Sequence, residues 1–245
     1  MLSKKIDWQL IILVCSLIII MIMGVRQSLG LFLEPISQFM KDGKEFFSFA
    51  IGFQAIIWGV VTFGLGILID KFGPQKILAF GIICFASGIF LMSNPNNQLT
   101  LFSATSLMGF GLGGAGMATM VSIAGKVAPP EKRSFAMGLI AAAASFGQFA
   151  VVLPTMWMNK TFGWETSLIV LSIITISMLI LLPLLNNTNE KVNQKDSFGN
   201  ELQNTLLFSL KERNYILLIM GFFVCGFHVT FIGLHLPADL MFKGI

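Results

Sequence analysis

Hydrophobic residues in this chain are gathered into seven long runs that short polar stretches separate. Each run has about 18 to 28 residues, enough for an α-helix to cross a hydrocarbon core of roughly 30 Å. The pattern therefore predicts an all-α, polytopic transmembrane helical bundle. The predicted spans are residues 9–33, 47–69, 76–93, 99–124, 134–157, 164–185 and 214–241.

The composition agrees with a chain that lies mostly in lipid. Hydrophobic residues make up 55% of the sequence and charged residues 11%, whereas soluble domains have about 25% charged residues. The mean hydropathy is +0.82 and the pI is near 9.1. The basic residues are dispersed between apolar runs and form no stripe on one face, so we expect the lipid bilayer as a partner and no nucleic acid.

The distribution of Lys and Arg predicts how the chain is oriented. With the N-terminus in the cytoplasm, eleven of them lie inside and four outside, which is the bias expected of cytoplasmic loops. We therefore predict a multi-pass protein of the plasma (inner) membrane with a cytoplasmic N-terminus. The inside set is Lys4, Lys5, Lys71, Lys76, Lys126, Lys132, Arg133, Lys191, Lys195, Lys211 and Arg213, and the outside set is Lys41, Lys44, Lys160 and Lys243.

The longest polar stretch separates the first six spans from the seventh. We expect an N-terminal six-helix transmembrane domain at 1–185, a cytoplasmic linker between two halves at 186–213, and the first helix of a truncated C-terminal half at 214–245. This layout is typical of transporters built from two six-helix halves.

A short turn between the second and third spans carries glycine and charge at a regular spacing. Gly73 permits a tight turn, Pro74 suits a first helical position, and an acid can interact with the positive end of the next helix. The turn resembles the signature loop of the major facilitator superfamily, although Pro74 and Gln75 replace two usual bases. The matching residues are Gly66, Asp70, Lys71, Gly73 and Lys76.

The entry to the fifth span, from Glu131 to Gln148, joins a basic pair to a run of small residues. It is similar to a motif of the monocarboxylate and oxalate/formate group of the superfamily. This resemblance implies an N-terminal half with inverted 3+3 helix repeats plus one additional span. It places Arg133 with the signature loop in a conformational switch.

The resemblance also implies a function. We expect a secondary active transporter that moves a small solute, preferably an organic anion such as a monocarboxylate, by alternating access. A complete transport path then needs a C-terminal half, and the resemblance leaves open a coupling proton.

Arg26 lies inside the first predicted span, where a cation costs roughly 2.5 to 3.5 kcal/mol on insertion scales. One interpretation is that Arg26 faces a central cavity and attracts a carboxylate, to which its guanidinium fork is matched. The other is that it snorkels to the outer interface or pairs structurally with Glu34.

Other polar residues within spans are candidates for binding the solute. Gln54 and Trp58 share one face of the second span with Thr62, Gln148 lies in the fifth span, and His228 lies in the seventh. Each either lines a pathway or makes a plain contact between helices.

The seventh span places Cys225, His228, His235 and Asp239 along one stripe. His228 and His235 are separated by roughly 10 Å along a helix, so they cannot share a metal ion. We expect no metal site and no cofactor.

Two other classes of protein remain open. A seven-span receptor fits the helix count but commonly has its N-terminus outside, and a membrane fragment that transports nothing fits the missing second half. An enzyme is not expected, because no acid-base or metal cluster falls at one depth. The run from Gly109 to Gly116 lacks the Lys-Ser/Thr ending of a phosphate loop. Its glycines at 109, 113 and 116 instead share one face suited to close helix packing.

Overall fold

The computed structural model describes residues 7–40, 43–188 and 211–242. Within these ranges all regular structure is helical, and seven helical stretches are long and apolar enough to cross a membrane. The prediction of a polytopic all-α bundle is confirmed. The α-helices are α1 (Trp8–Ser28), α2 (Leu33–Met40), α3 (Gly43–Phe72), α4 (Pro74–Met92), α5 (Gln98–Ala115), α6 (Met117–Val127), α7 (Arg133–Ala150), α8 (Val152–Phe162), α9 (Trp164–Ser177) and α10 (Arg213–Phe242). The 3₁₀ segments among the described residues are Leu29–Phe32, Pro130–Lys132 and Met178–Thr188.

Local chemistry explains where several helices begin. The Asp7 carboxylate accepts from the Gln9 amide, and the Asn97 side chain accepts from the Thr100 amide at 2.8 Å, so both act as N-caps. Gly73 turns the chain with φ 84° and is followed by Pro74 at the start of α4. The predicted roles of these two residues in the turn are therefore confirmed.

The first span is longer than the sequence predicts. The expected end was at residue 33, before Glu34 and Pro35, but a 3₁₀ segment at Leu29–Phe32 leads directly into α2, which ends at Met40. Pro35 causes no break because it lies in the first turn of α2, where an amide has no intrahelical partner to lose.

Glycines let the third and fourth spans approach closely. A Cβ added at Gly111 would lie 2.5 Å from the backbone nitrogen of Phe85, and one at Gly81 would lie 2.4 Å from the Ala115 nitrogen. Close backbone approach of this kind replaces the hydrophobic effect as a source of helix association in lipid. Elsewhere α1 packs on α7, α3 on α5, and α4 on α9.

Many large apolar side chains point away from the bundle. Phe49, Val60, Leu99 and Ile180 are all exposed, while Phe32, Phe47 and Phe85 are among the largest fully buried side chains. Exposed apolar surface of this extent suits a protein whose surroundings are hydrocarbon rather than water.

The chain divides into two compact units, Met1–Lys191 and Val192–Ile245. The first contains α1 to α9. In the second, the described residues include α10, most of whose described side chains are exposed. The predicted domain boundaries at 185 and 213 stay a prediction.

Candidate functional site

Arg26 and Trp58 come together near the middle of their spans. Arg26 belongs to the stretch Trp8–Met40 and Trp58 to α3, Gly43–Phe72, so each lies about halfway along its helix. The guanidinium carbon of Arg26 lies 4.7 Å from the centroid of the Trp58 ring. This distance is within the range of cation–π attraction, which stabilises an arginine in a poorly solvated site.

The polar face of α3 continues on both sides of Trp58. Gln54 lies one turn before it and is 3% exposed, and Thr62 lies one turn after it. Among the described residues, neither the Gln54 Nε2 nor the Thr62 Oγ1 has a hydrogen-bond partner, although both atoms are buried. Buried polar atoms without a partner are uncommon, and a bound water, ion or ligand is one explanation for them.

The fourth span is broken opposite this face. α5 ends at Ala115, α6 begins at Met117, and Gly116 between them has an extended backbone with φ −84° and ψ −168°. A Cβ added at Gly116 would lie 2.2 Å from the Leu112 carbonyl oxygen and 3.5 Å from Trp58 Nε1. The interruption therefore lies directly beside the indole on which Arg26 stacks.

In the two turns of α5 before this break, glycines allow α5 to pack closely against α3. Gly109 faces the Gln54 carbonyl and Ile57, and Gly113 faces Val61. The prediction that the glycines at 109, 113 and 116 form one packing face is confirmed. The predicted span 99–124 corresponds to the membrane-length stretch Gln98–Val127, although its helix is interrupted at Gly116. Gly116 adopts an extended conformation and so starts a new helix instead of continuing the first.

Thr119 is a polar residue of this region that the sequence did not single out. It lies in the first turn of α6, is 1% exposed, and its Oγ1 has no hydrogen-bond partner among the described residues. A threonine within an apolar span gives no signal by itself, since most hydroxyls in the spans bond to their own helix. Thr175, for example, donates to the Leu171 carbonyl at 2.7 Å.

Glu34 pairs with a residue of the second span. Its carboxylate lies 2.5 Å from the Lys44 ammonium group and accepts a hydrogen bond from the Gln38 amide at 2.8 Å. The ion pair ties the end of the first span to the start of α3.

The remaining solute-binding candidates are Gln148 and His228, which lie on other helices than α3. Gln148 is half-buried on α7, beside Gly147, whose Cβ position faces the Ile20 backbone of α1. His228 lies on α10 in the second unit, and its Nδ1 is 3.0 Å from the Val224 carbonyl of the same helix. Among the described residues no three His, Cys, Asp or Glu lie close enough to hold a metal ion.

The signature loop is only partly described. The surroundings of Gly66 and the side chains of Asp70 and Lys71 lie outside the described residues, whereas Lys76 and Arg133 are exposed. In the same turn Gln75 donates from its Nε2 to the Leu182 carbonyl oxygen at 2.9 Å. The residue that departs from the usual loop pattern therefore joins the third span to the sixth.

A sequence profile described as the Major Facilitator Superfamily matches residues 9–242, which is nearly the whole chain. The chain belongs to the Major Facilitator Superfamily. It is an integral, multi-pass membrane protein of a transporter family. The family and the names of its relatives point to a transporter rather than an enzyme.

Curated relatives of this superfamily member are distant in sequence. The uncharacterized MFS-type transporter YcxA of Bacillus subtilis is 24% identical over 220 residues, 86% of this chain and 52% of that protein. The agnestins efflux protein AgnL12 of Paecilomyces divaricatus is 26% identical over 179 residues, 72% of this chain and 38% of that protein. A probable 4-methylmuconolactone transporter of Cupriavidus pinatubonensis is 28% identical over 145 residues, 50% of this chain and 34% of that protein. The chain thus spans about half, or less, of the length of these relatives.

Proposed function

We propose that this superfamily member moves a small organic anion across the membrane by alternating access, as the monocarboxylate and oxalate/formate group does. The observation that carries the proposal is Arg26 stacked on Trp58 at mid-span, with a centroid distance of 4.7 Å. A guanidinium presents several N–H donors in a planar fork that fits a carboxylate. Held on an indole ring, it lies at the depth where superfamily transporters bind their solutes.

Gln54, Gln148 and His228 complete the proposed solute-binding set. Gln54 supports it best, because its buried Nε2 has no hydrogen-bond partner among the described residues and lies one turn from Trp58. An amide donor there would hold a second oxygen of the same solute. We include Gln148 and His228 on the sequence argument alone.

The signature loop is proposed to control the exchange between the two access states. Gly73 supports this role, because its left-handed conformation fixes a sharp turn between α3 and α4. In this proposal Asp70, Lys71, Lys76 and Arg133 form charge contacts that differ between the states. In this proposal the signature loop and the loop before α7 lie on the cytoplasmic side of the inner membrane, as the distribution of basic residues predicts.

A second half is proposed to complete the transport path. One face of α3 supports this, because Gly52 and Gly59 lie two turns apart on it and a Cβ added at either would meet no atom within 4 Å. Small residues on a membrane helix favour close packing with another helix. The proposed partner of that face is a C-terminal half, and a coupling proton is a further partner of the full cycle.

Uptake of radiolabelled pyruvate, lactate and oxalate into vesicles tests the proposal. The vesicles carry the sequence completed to two halves, either unchanged or with Arg26→Ala, Arg26→Lys or Lys160→Ala. We expect saturable uptake to be lost in Arg26→Ala and reduced in Arg26→Lys, because an ammonium group lacks the planar fork. Lys160→Ala removes an exposed cation from the end of α8 and is expected to leave uptake unchanged.

Two results would contradict the proposal. Uptake of no acid by the unchanged protein would refute the organic-anion substrate. Equal uptake by Arg26→Ala would remove Arg26 from the transport path.

A further inference from the structure

The break in the fourth span, at Gly116, lies beside the Trp58 indole. Gly116 lies beside Trp58 Nε1, and the Trp58 ring carries the Arg26 guanidinium on its face. Thr62 lies one turn along α3 from Trp58, and its backbone nitrogen is 3.2 Å from a Cβ built at Gly113. The Trp58 indole N–H therefore lies beside the point where α5 ends and α6 begins, and the Arg26 guanidinium lies over the same indole ring.

The start of α6 adds further donors that the protein does not cap. Gly116 provides no side-chain cap, and no acidic residue lies in the first turn of α6. The first amides of a helix have no partner within it, and the aligned peptide dipoles give this end a partial positive charge. Both features favour a bound anion.

Thr119 points to a ligand independently of the helix terminus. Its Oγ1 is fully buried yet lacks a hydrogen-bond partner among the described residues. Side chains on a helix tilt toward its N-terminus, so the hydroxyl of a third-position residue lies over the first turn. Helix geometry therefore directs the Thr119 side chain toward the break, and its hydroxyl bonds to no described residue there.

We propose that the break at Gly116 binds the anionic group of the solute, through the first amides of α6 and the Thr119 hydroxyl, opposite Arg26. This inference rests on the proposed organic-anion function and adds to it a second anchor on a different span. Two oxygens of one carboxylate, or two anionic groups of a diacid, would then be divided between Arg26 and α6. The substrate class is a compact mono- or dicarboxylate.

Trp58 provides the signal for a binding experiment on the purified full chain in lipid nanodiscs. Trp8, Trp157 and Trp164 are replaced by Phe, so that all tryptophan fluorescence comes from the indole beside the break. Pyruvate, oxalate and sulfate are titrated separately. Saturable changes in Trp58 fluorescence report binding, and sulfate serves as an anion that is not an organic acid.

Thr119→Val tests the hydroxyl without changing the size of the side chain. We expect it to weaken pyruvate binding about tenfold, as the loss of one hydrogen bond to a charged group predicts. Thr119→Ser retains a hydroxyl and is expected to restore binding. Thr175→Val is the matched control, because Thr175 is 0% exposed and its hydroxyl is already bonded to its own helix.

The outcomes separate this inference from the proposed function. If Arg26→Gln abolishes pyruvate binding while Thr119→Val binds as the unchanged protein does, the site at α6 is refuted and the Arg26 proposal stands. Sulfate binding that depends on Thr119, without binding or uptake of any organic acid, supports the anion site and refutes the organic-anion function. Uptake of pyruvate in vesicles with no change in Trp58 fluorescence supports the function and refutes the site.

Discussion

Gly116 has the most constrained environment of the residues around the candidate site. A methyl group there would lie 2.2 Å from the Leu112 carbonyl oxygen, and that oxygen belongs to the backbone of the same span, so it cannot rotate away. The extended conformation of Gly116 therefore requires the absence of a side chain, although its φ of −84° is available to any residue.

We expect Gly116→Ala to lower the free energy of unfolding by about 1 to 3 kcal/mol, the usual cost of overpacking. The substitution should also weaken anion binding, because the start of α6 must move. Thermal unfolding in detergent and the Trp58 titration measure the two effects.

Gly125→Ala is the matched control for this substitution. Gly125 lies on the same α6, and an added Cβ would meet only the Met137 sulfur at 3.7 Å, an ordinary contact. Equal melting temperatures for the two alanine variants would contradict the claim that the conformation of Gly116 requires the absence of a side chain.

The sequence predicted single residues of the site better than their contacts. Arg26 was identifiable because a cation inside an apolar run is costly, and Trp58 because it shares a helix face with Gln54. That the two side chains stack depends on the rotation of α1 against α3, and hydropathy does not determine that rotation. Thr119 could not be identified from the sequence, because the observation that singles it out is that its Oγ1 has no hydrogen-bond partner among the described residues.

The packing of α4 against α5 is the clearest feature at the scale of elements. Gly111 faces the backbone of Phe85, and Gly88 faces the Ala104 carbonyl and Met108. The backbone atoms of Phe85 and Ala104 at these contacts cannot rotate away to make room for a larger side chain. The distance between the two helix axes is therefore set by these glycines.

We expect Gly111→Val to separate α4 from α5 and to lower the melting temperature by several degrees. Valine adds three carbons where the Phe85 nitrogen would already lie 2.5 Å from a Cβ, and overpacking of this kind costs about 1 to 3 kcal/mol. Thermal unfolding of the purified protein in detergent measures the change.

Gly138→Val is the control, because an added Cβ there would meet no atom within 4 Å. Unchanged stability in Gly111→Val would show that the two helices adjust to a side chain at this contact.

Hydropathy predicted the positions of the membrane-spanning helices. The two differences from the structure, at the end of the first span and at Gly116, have identifiable causes. The predicted first span ends at residue 33, whereas the helical stretch continues to Met40, since a proline in the first turn of α2 is compatible with the helix. The predicted packing face places Gly116 within a helix, since a glycine looks the same in sequence whether it lies inside a helix or between two.

At the scale of the whole molecule, the orientation in the membrane is the main prediction that remains to be tested. Asn96 lies between α4 and α5, and Glu131 lies between α6 and α7. Both are exposed, and the basic residues predict that they lie on opposite sides of the membrane.

Cysteine labelling tests this prediction. Asn96→Cys and Glu131→Cys are made with Cys15, Cys84 and Cys225 replaced by Ser, and intact cells are treated with an impermeant maleimide. We expect Asn96→Cys to be labelled at once and Glu131→Cys only after the membrane is permeabilised. The reverse pattern would place the N-terminus outside.

The bundle as a whole was the part of the structure most accessible from sequence. Seven apolar runs predict seven spans, because lipid requires each crossing segment to satisfy its backbone within a helix. The superfamily then followed from the spacing around Gly73. Which spans contact each other depends on small residues such as Gly81 and Gly147, and their partners cannot be identified from one sequence.

The hydrogen bond from Gln75 to the Leu182 carbonyl also has a consequence for synthesis at the ribosome. The two residues are 107 positions apart, and translation at about 5 to 20 residues per second separates their emergence by roughly 5 to 20 seconds. During that interval the Gln75 amide has to be solvated by water or lipid headgroups, which its place in the first turn of α4 allows. The hydrogen bond that joins the third span to the sixth can therefore form only after the sixth span has been synthesised.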